Sequence, residues 1–274
     1  MIFFLLLPSL IFFLLFTVWP IIEVFRLSLF STNFIVTNFV GLQNYIDTFK
    51  NETFVQSLYN GGYYLVLMVV GITGVSLFMS LFISNLNKKW QDTTRILIYI
   101  PVLSGGIIIA QVWKWVFSNE GVANWFLSLF GIDKVFWFSQ GITAIPVIVF
   151  IVVLASLGSY IIIFLSSILS IDYTIFEAAR IDGATDRQIR RYIIIPILIP
   201  TIILVSLLAM IASLQIVETI MVLAPQIYAA TPTYAVYMNG FKFSKWGMAS
   251  AQSVILLIIT IGLSLIKRKV EKSK

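Results

Sequence analysis

The feature that most constrains this chain is the distribution of its charges, which fall in short clusters separated by long uncharged apolar runs. Six runs, about 2–28, 57–84, 95–117, 142–169, 193–222 and 247–266, reach the length of about 20 residues that a helix needs to cross roughly 30 Å of hydrocarbon. A charge at the bilayer centre costs about 2.5–3.5 kcal/mol on insertion scales, so a spanning chain keeps its ions in the water-facing segments. Composition agrees: 59% of the 274 residues are hydrophobic and 11% are charged. A soluble domain would carry about 25% charged residues. The expected fold is all-α and integral to the membrane, with six transmembrane helices in a single transmembrane domain over residues 1–274. The first run, Met1 to Val18, lacks the basic flank and small-residue cleavage site of a signal peptide and is expected to persist as a span.

Orientation follows from Lys and Arg on alternate sides of the spans. One side collects Lys88, Lys89, Arg95, Arg180, Arg187, Arg190, Arg191, Lys267, Arg268, Lys269, Lys272 and Lys274; the other holds Arg26, Lys50, Lys114, Lys134, Lys242 and Lys245. This ratio of 12 to 6 makes both termini and the 170–192 loop cytoplasmic in a multi-pass cell-membrane protein. The net charge of +6 therefore speaks to topology. It does not suggest nucleic acid, because the basic residues form no stripe interleaved with exposed aromatics. Trp113, Trp115, Trp125, Trp137 and Trp246 fall at the opposite ends of the spans and suit the headgroup zone.

The chain has no cysteine and no histidine. That excludes thiolate and imidazole catalysis and the usual soft metal ligands. It also lacks a GxxxxGK[ST] phosphate loop and paired carboxylates within any span, so no catalytic residue, metal or cofactor is expected.

The loop Ser170 to Pro196 is unusually well specified. Thr174 and Glu177 have capping-box spacing, with Tyr173 and Ala178 at the staple positions, which predicts a short helix from Ile175. Gly183 is expected to end that helix, and Thr185 with Gln188 to open a second one running into the fifth span. Ala179 and Gly183, four apart, would share a smooth face on which a partner backbone approaches closely. Glu177, Arg180, Arg187, Arg190 and Arg191 would orient that partner.

Glu177-Ala178-Ala179, then Gly183, Ile193 and the Ile195-Pro196 pair together resemble the EAA loop of binding-protein-dependent ABC importer permeases. Ile195 stands where the family usually has Leu. The resemblance runs over nearly the whole chain and favours the carbohydrate branch, through Gly41-Leu42-Gln43-Asn44-Tyr45, Arg95 to Pro101, Trp113 with Gly121 and Asn124, and Gly247-Met248-Ala249-Ser250-Ala251. After the fifth span it departs: Leu223-Ala224-Pro225-Gln226 replaces a Thr-Gly-Gly-Pro stretch. The resemblance implies a type I importer permease core with no enzymatic activity of its own. It also implies that Glu177, Ala178, Ala179, Arg180, Gly183 and Arg187 couple to the ATPase. The implied partners are a second permease subunit, identical or homologous, two cytoplasmic ATP-binding subunits, an extracytoplasmic solute-binding protein and membrane lipid, with no nucleic acid.

For the substrate path, Gln215 and Glu218 lie three apart in the fifth span and are expected on one helical face. Glu218 is the one acidic residue well inside any run, and the family commonly places an Asp there. Tyr160 in the fourth span is a weaker candidate. Pro196 and Pro200 should kink the fifth span. With no Lys or Arg in mid-span, a neutral sugar or oligosaccharide is favoured over an anionic solute such as a polyol phosphate. The alternative of a secondary transporter would require similar halves and intramembrane ion sites, which the sequence does not show.

Overall fold

A computed structural model describes residues 2–32, 35–224 and 227–272. The Pro225-Gln226 pair, Met1 and Lys274, all mentioned above, lie outside the described residues. The first apolar run is helical over 2–27 (α1), with a π-helical turn at Leu14–Val18. A small antiparallel hairpin of β1 (Phe30–Thr32) and β2 (Thr37–Phe39) follows, pairing Ser31 with Asn38. Next come α2 (Gln43–Lys50), α3 (Glu52–Ile83), α4 (Lys88–Leu103), α5 (Gly106–Val116), α6 (Val122–Ser128) and α7 (Gly141–Leu169). Beyond them lie α8 (Tyr173–Ile181), α9 over residues 186–197, α10 (Ile199–Leu214), α11 (Glu218–Leu223), α12 (Pro232–Tyr237) and α13 (Trp246–Lys272).

Side-chain oxygens set where several of these helices begin. Asn51 accepts from the Phe54 N–H at 2.9 Å to open α3, and Asn87 accepts from the Trp90 N–H at 3.1 Å to open α4. Each satisfies a donor that has no partner inside its own helix.

Among the described residues four helices are long and apolar enough to cross a membrane, or up to six if each of two bent pairs is one span. The bend in the fifth run falls at the prolines expected to kink it, whereas the bend in the third run was not expected. Between α4 and α5 the axis turns by 92° at Ser104–Gly105, where Gly105 has a φ of +76°. A side chain rarely tolerates that backbone, so glycine permits the break. Between α9 and α10 the axis turns by 63° at Leu198, flanked by Pro196 and Pro200. Each proline lacks an N–H and clashes with the carbonyl four residues back.

The fifth run also unwinds at 215–217, between α10 and α11. The freed carbonyls are not left bare: the Thr233 hydroxyl donates to the Leu214 carbonyl at 2.7 Å and the Thr231 hydroxyl to the Ile216 carbonyl at 2.5 Å. Irregular backbone at membrane depth requires such internal donors.

The core is helix on helix. Tyr64, Met68 and Ile72 of α3 pack with Ile148, Ile151 and Phe164 of α7 and with Val205 and Ala209 of α10. Where hydrocarbon replaces water, close packing and polar pairs hold helices together. Thr73 and Ser206 pair at 3.2 Å between α3 and α10, and Thr201 donates to Ser167 at 3.0 Å between α10 and α7. The backbones of α4 and α7 approach so closely that a Cβ at Gly158 would lie 2.4 Å from the Ile98 carbonyl oxygen. At the end opposite the 170–192 loop, the Asn60 side-chain amide donates to the carbonyls of Ile227, Tyr228 and Ala230. Tyr64 donates to Ala229 at 2.9 Å.

Candidate functional site

The 170–192 loop folds as two capped helical pieces, though its first cap differs from expectation. Asp172 is the N-cap of α8: its carboxylate accepts the Thr174 N–H at 3.0 Å, and no Thr174–Glu177 capping box forms. The shift has a physical cause. An anionic oxygen at the positive end of a helix is the stronger cap. Starting at Tyr173 also puts Ile171 and Phe176 at the staple positions, and both pack on the cluster Ile168, Ile189, Ile194 and Leu198. The backbone N–H of Thr174, with its hydroxyl second, holds the Asp172 carboxyl below its ordinary pKa.

At its other end α8 closes with a Schellman motif. Ala184 N–H donates to Ala179 at 2.9 Å, Gly183 N–H donates to Arg180 at 3.1 Å, and Gly183 itself has a φ of +77°. The second box forms as expected. Thr185 N–H donates to the Gln188 side chain at 2.8 Å, and Gln188 N–H donates back to the Thr185 hydroxyl at 3.4 Å.

The smooth face expected of Ala179 and Gly183 is not the outward one. Ala179 is half-buried and packs inward on the same cluster as Phe176 and Ala184, while Gly183 lies beyond the helix end. The exposed stripe runs instead through Thr174, Glu177, Ala178 and Ile181, at helical spacing. Ile181 is 86% exposed and Tyr173 61%. Ile181 is not among the residues expected from sequence, although the 174, 177, 178 and 181 spacing carried the signal, and Tyr173, expected at a staple position, is exposed instead. Arg180 and Arg187 are exposed, and Arg180 approaches Asp186 at 3.9 Å, a solvated pair worth little.

The substrate-path candidates lie at the Ser104–Gly105 break and the unwound turn at 215–217. Tyr160, half-buried, lines a cavity of about 300 Å³ together with Ser156, Ser159, Gly105, Gly106 and Thr219. Glu218 adjoins this cavity: a Cβ at Gly106 would lie 2.8 Å from its Oε2. Its carboxylate therefore stands over the first turn of α5, where the helix dipole favours negative charge. Gln215 and Glu218 are both exposed, but the unwound turn between them removes the shared helical face that their spacing predicted. Among the described residues no cluster of His, Cys, Asp or Glu could hold a metal ion.

No protein-family model matches the chain. It is 30% identical over 267 residues to a probable ABC transporter permease protein, YesP of Bacillus subtilis, covering 92% of this chain and 84% of the relative. The chain belongs to the ABC transporter permease family. The permease is also 26% identical over 272 residues to the arabinooligosaccharides transport system permease protein AraP of B. subtilis, covering 97% of this chain and 87% of that one. Its fold matches a chain from a bacterial alginate ABC transporter in complex with alginate pentasaccharide-bound periplasmic protein. That match has a TM-score of 0.85 at 23% identity, over 97% of the permease and 92% of the solved chain. The permease is thus an all-α membrane protein of the type I importer fold.

Proposed function

We propose that the permease forms the translocation path for a neutral sugar or oligosaccharide and couples to a cytoplasmic ATPase through the 170–192 loop. The observation that carries this reading is the α8–α9 knob, capped at both joints and presenting an exposed stripe of Thr174, Glu177 and Ala178 that ends on the apolar Ile181. A rigid, partly apolar projection transmits motion to a partner where a floppy loop would absorb it. The carbohydrate reading is supported by the relative AraP, whose name specifies arabinooligosaccharide transport. Neutrality is favoured because Gln215, Glu218 and Tyr160 offer acceptors and donors but no cation.

The full assembly would comprise a second permease, identical or homologous, two ATP-binding subunits that perform the hydrolysis, and an extracytoplasmic solute-binding protein. The spans would number six, with both termini cytoplasmic. The test is ATP-driven uptake of labelled neutral oligosaccharides into proteoliposomes holding the assembled complex, with a polyol phosphate as competitor. Uptake that requires ATP and ignores the phosphate supports the proposal. Uptake driven by an ion gradient without ATP, or a preference for the phosphate, would refute it.

A further inference from the structure

Beside the exposed stripe of α8, the coupling end carries a second surface, built on arginines that the sequence pointed toward the ATPase. The π-helical turn at Arg190–Ile194 and the α-helical turn before it place Arg187, Arg190, Arg191 and Ile195 along one side of α9. Facing them across a groove of about 470 Å³ are Phe78 and Phe82 at the end of α3. Phe78 is 70% exposed and Phe82 59%. One wall is thus cationic and the other apolar, and no Asp or Glu lines the groove. Asp186, the nearest acid in sequence, lines a neighbouring cavity, which Arg190 also borders. Of the arginines, Arg190 spends its Nε on the Asp186 carbonyl at 3.3 Å, and Arg191 lies 5.7 Å over the Tyr192 ring. Their remaining guanidinium N–H groups have no carboxylate partner in the groove.

The apolar wall does not stop at the groove. Val66, Val70, Phe78 and Phe82 continue as an exposed stripe along α3 into the depth of the span. A ligand that satisfies both walls carries an anion at one end and an extended hydrocarbon at the other, and it arrives from within the leaflet. Arg is suited to this work, since its planar fork holds phosphate oxygens while its stem lies on apolar surface. Basic pockets at the inner ends of membrane helices are natural seats for acidic head groups.

We propose that this groove binds an anionic phospholipid, its phosphate held by Arg187, Arg190 and Arg191 and an acyl chain laid along Phe82, Phe78 and Val70. The lipid wedges between the end of α3 and the start of α9, so it braces the coupling knob against the body of the permease. The site rests on the membrane reading alone and is independent of which solute is carried.

The test uses the assembled complex in nanodiscs of mixed phosphatidylglycerol and phosphatidylcholine, with native mass spectrometry of the lipids it retains on release. Phosphatidylglycerol should be retained in preference to phosphatidylcholine. That preference should fall about fivefold in Arg191→Gln, and further in the Arg190→Gln, Arg191→Gln pair. Excess inorganic phosphate should leave the bound lipid in place. Equal retention of the two lipids, or an unchanged preference in the pair, would overturn the proposal. Displacement by inorganic phosphate would show a free-anion site instead. Loss of the ATPase from the pair with lipid retention intact would assign the arginines to the partner protein. Unchanged thermal unfolding of the single variant guards against a folding artefact.

Discussion

Gly183 and Glu218 show how differently two residues constrain function. Nothing lies within 4 Å of an ideal Cβ at Gly183, so a substitution there meets no clash inside the chain. Its φ of +77° is the constraint: an L-residue pays about 1–2 kcal/mol in that region, Asp and Asn less. Gly183→Asp therefore leaves the turn nearly intact and sets a carboxylate at the tip of the knob. The expected outcome is a permease that inserts and pairs but loses its ATPase and its uptake, whereas Arg180→Ala does less. Quantifying the ATPase co-isolated with a tagged permease checks this, and normal retention with normal transport would remove the loop from the coupling role. At Glu218 the expectation is that Glu218→Ala impairs uptake more than basal ATP turnover, through lost solute contacts. Gly106→Ala, which drives a Cβ to 2.8 Å from Oε2, should displace the same carboxylate and give a similar, smaller defect. Parental uptake in both variants would leave the carboxylate with a purely structural role at the start of α5.

At the scale of elements, caps and breaks decide the architecture. The Asp172 cap holds its carboxyl below the ordinary value, so the stabilisation of α8 is present above the unfolded pKa and is lost as pH falls through the lower folded one. Hydrogen exchange over 173–181, corrected for the intrinsic rate, should be flat at neutral pH and rise only in acid. Asp172→Asn should abolish that dependence. The break at 215–217 makes a second prediction. Thr231 is fully buried and its hydroxyl serves the Ile216 carbonyl, so Thr231→Val should cost about 1–3 kcal/mol in thermal unfolding, and Thr231→Ser should recover most of it.

These elements also show what was legible in the chain. The Gly183 turn and the Thr185–Gln188 box were written in local chemistry, and the bend at Leu198 in its flanking prolines. The unwinding at 215–217 was not, because Gln215-Ile216-Val217 holds no breaker and its hydrogen-bond donors come from Thr231 and Thr233 far along the sequence. The inward turn of Ala179 was hidden for the same reason: which face of α8 is buried depends on Ile168, Ile189, Ile194 and Leu198, contributed by other helices.

For the whole molecule, the two ends differ in charge and in contacts, and the orientation we propose in the bilayer rests on that difference. The end opposite the knob carries the hairpin, α2 and the loop pinned by Asn60 and Tyr64, held by many backbone contacts. The knob end carries the arginines of α9 and the start of α4. Anionic lipid and the positive-inside rule both pull that end toward the cytoplasm. In the proposed orientation Asn51, which caps α3, is expected outside and Lys272, at the end of α13, inside. The chain has no cysteine of its own, so single cysteines at 51 and 272 report cleanly. A membrane-impermeant thiol reagent should label position 51 in intact cells and position 272 only after the membrane is opened. An apolar run crossing once more or once less would place both on the same side, and an inverted chain would exchange them. Labelling of position 272 in intact cells would therefore overturn the orientation, and with it the assignment of the 170–192 knob to the ATPase-facing side.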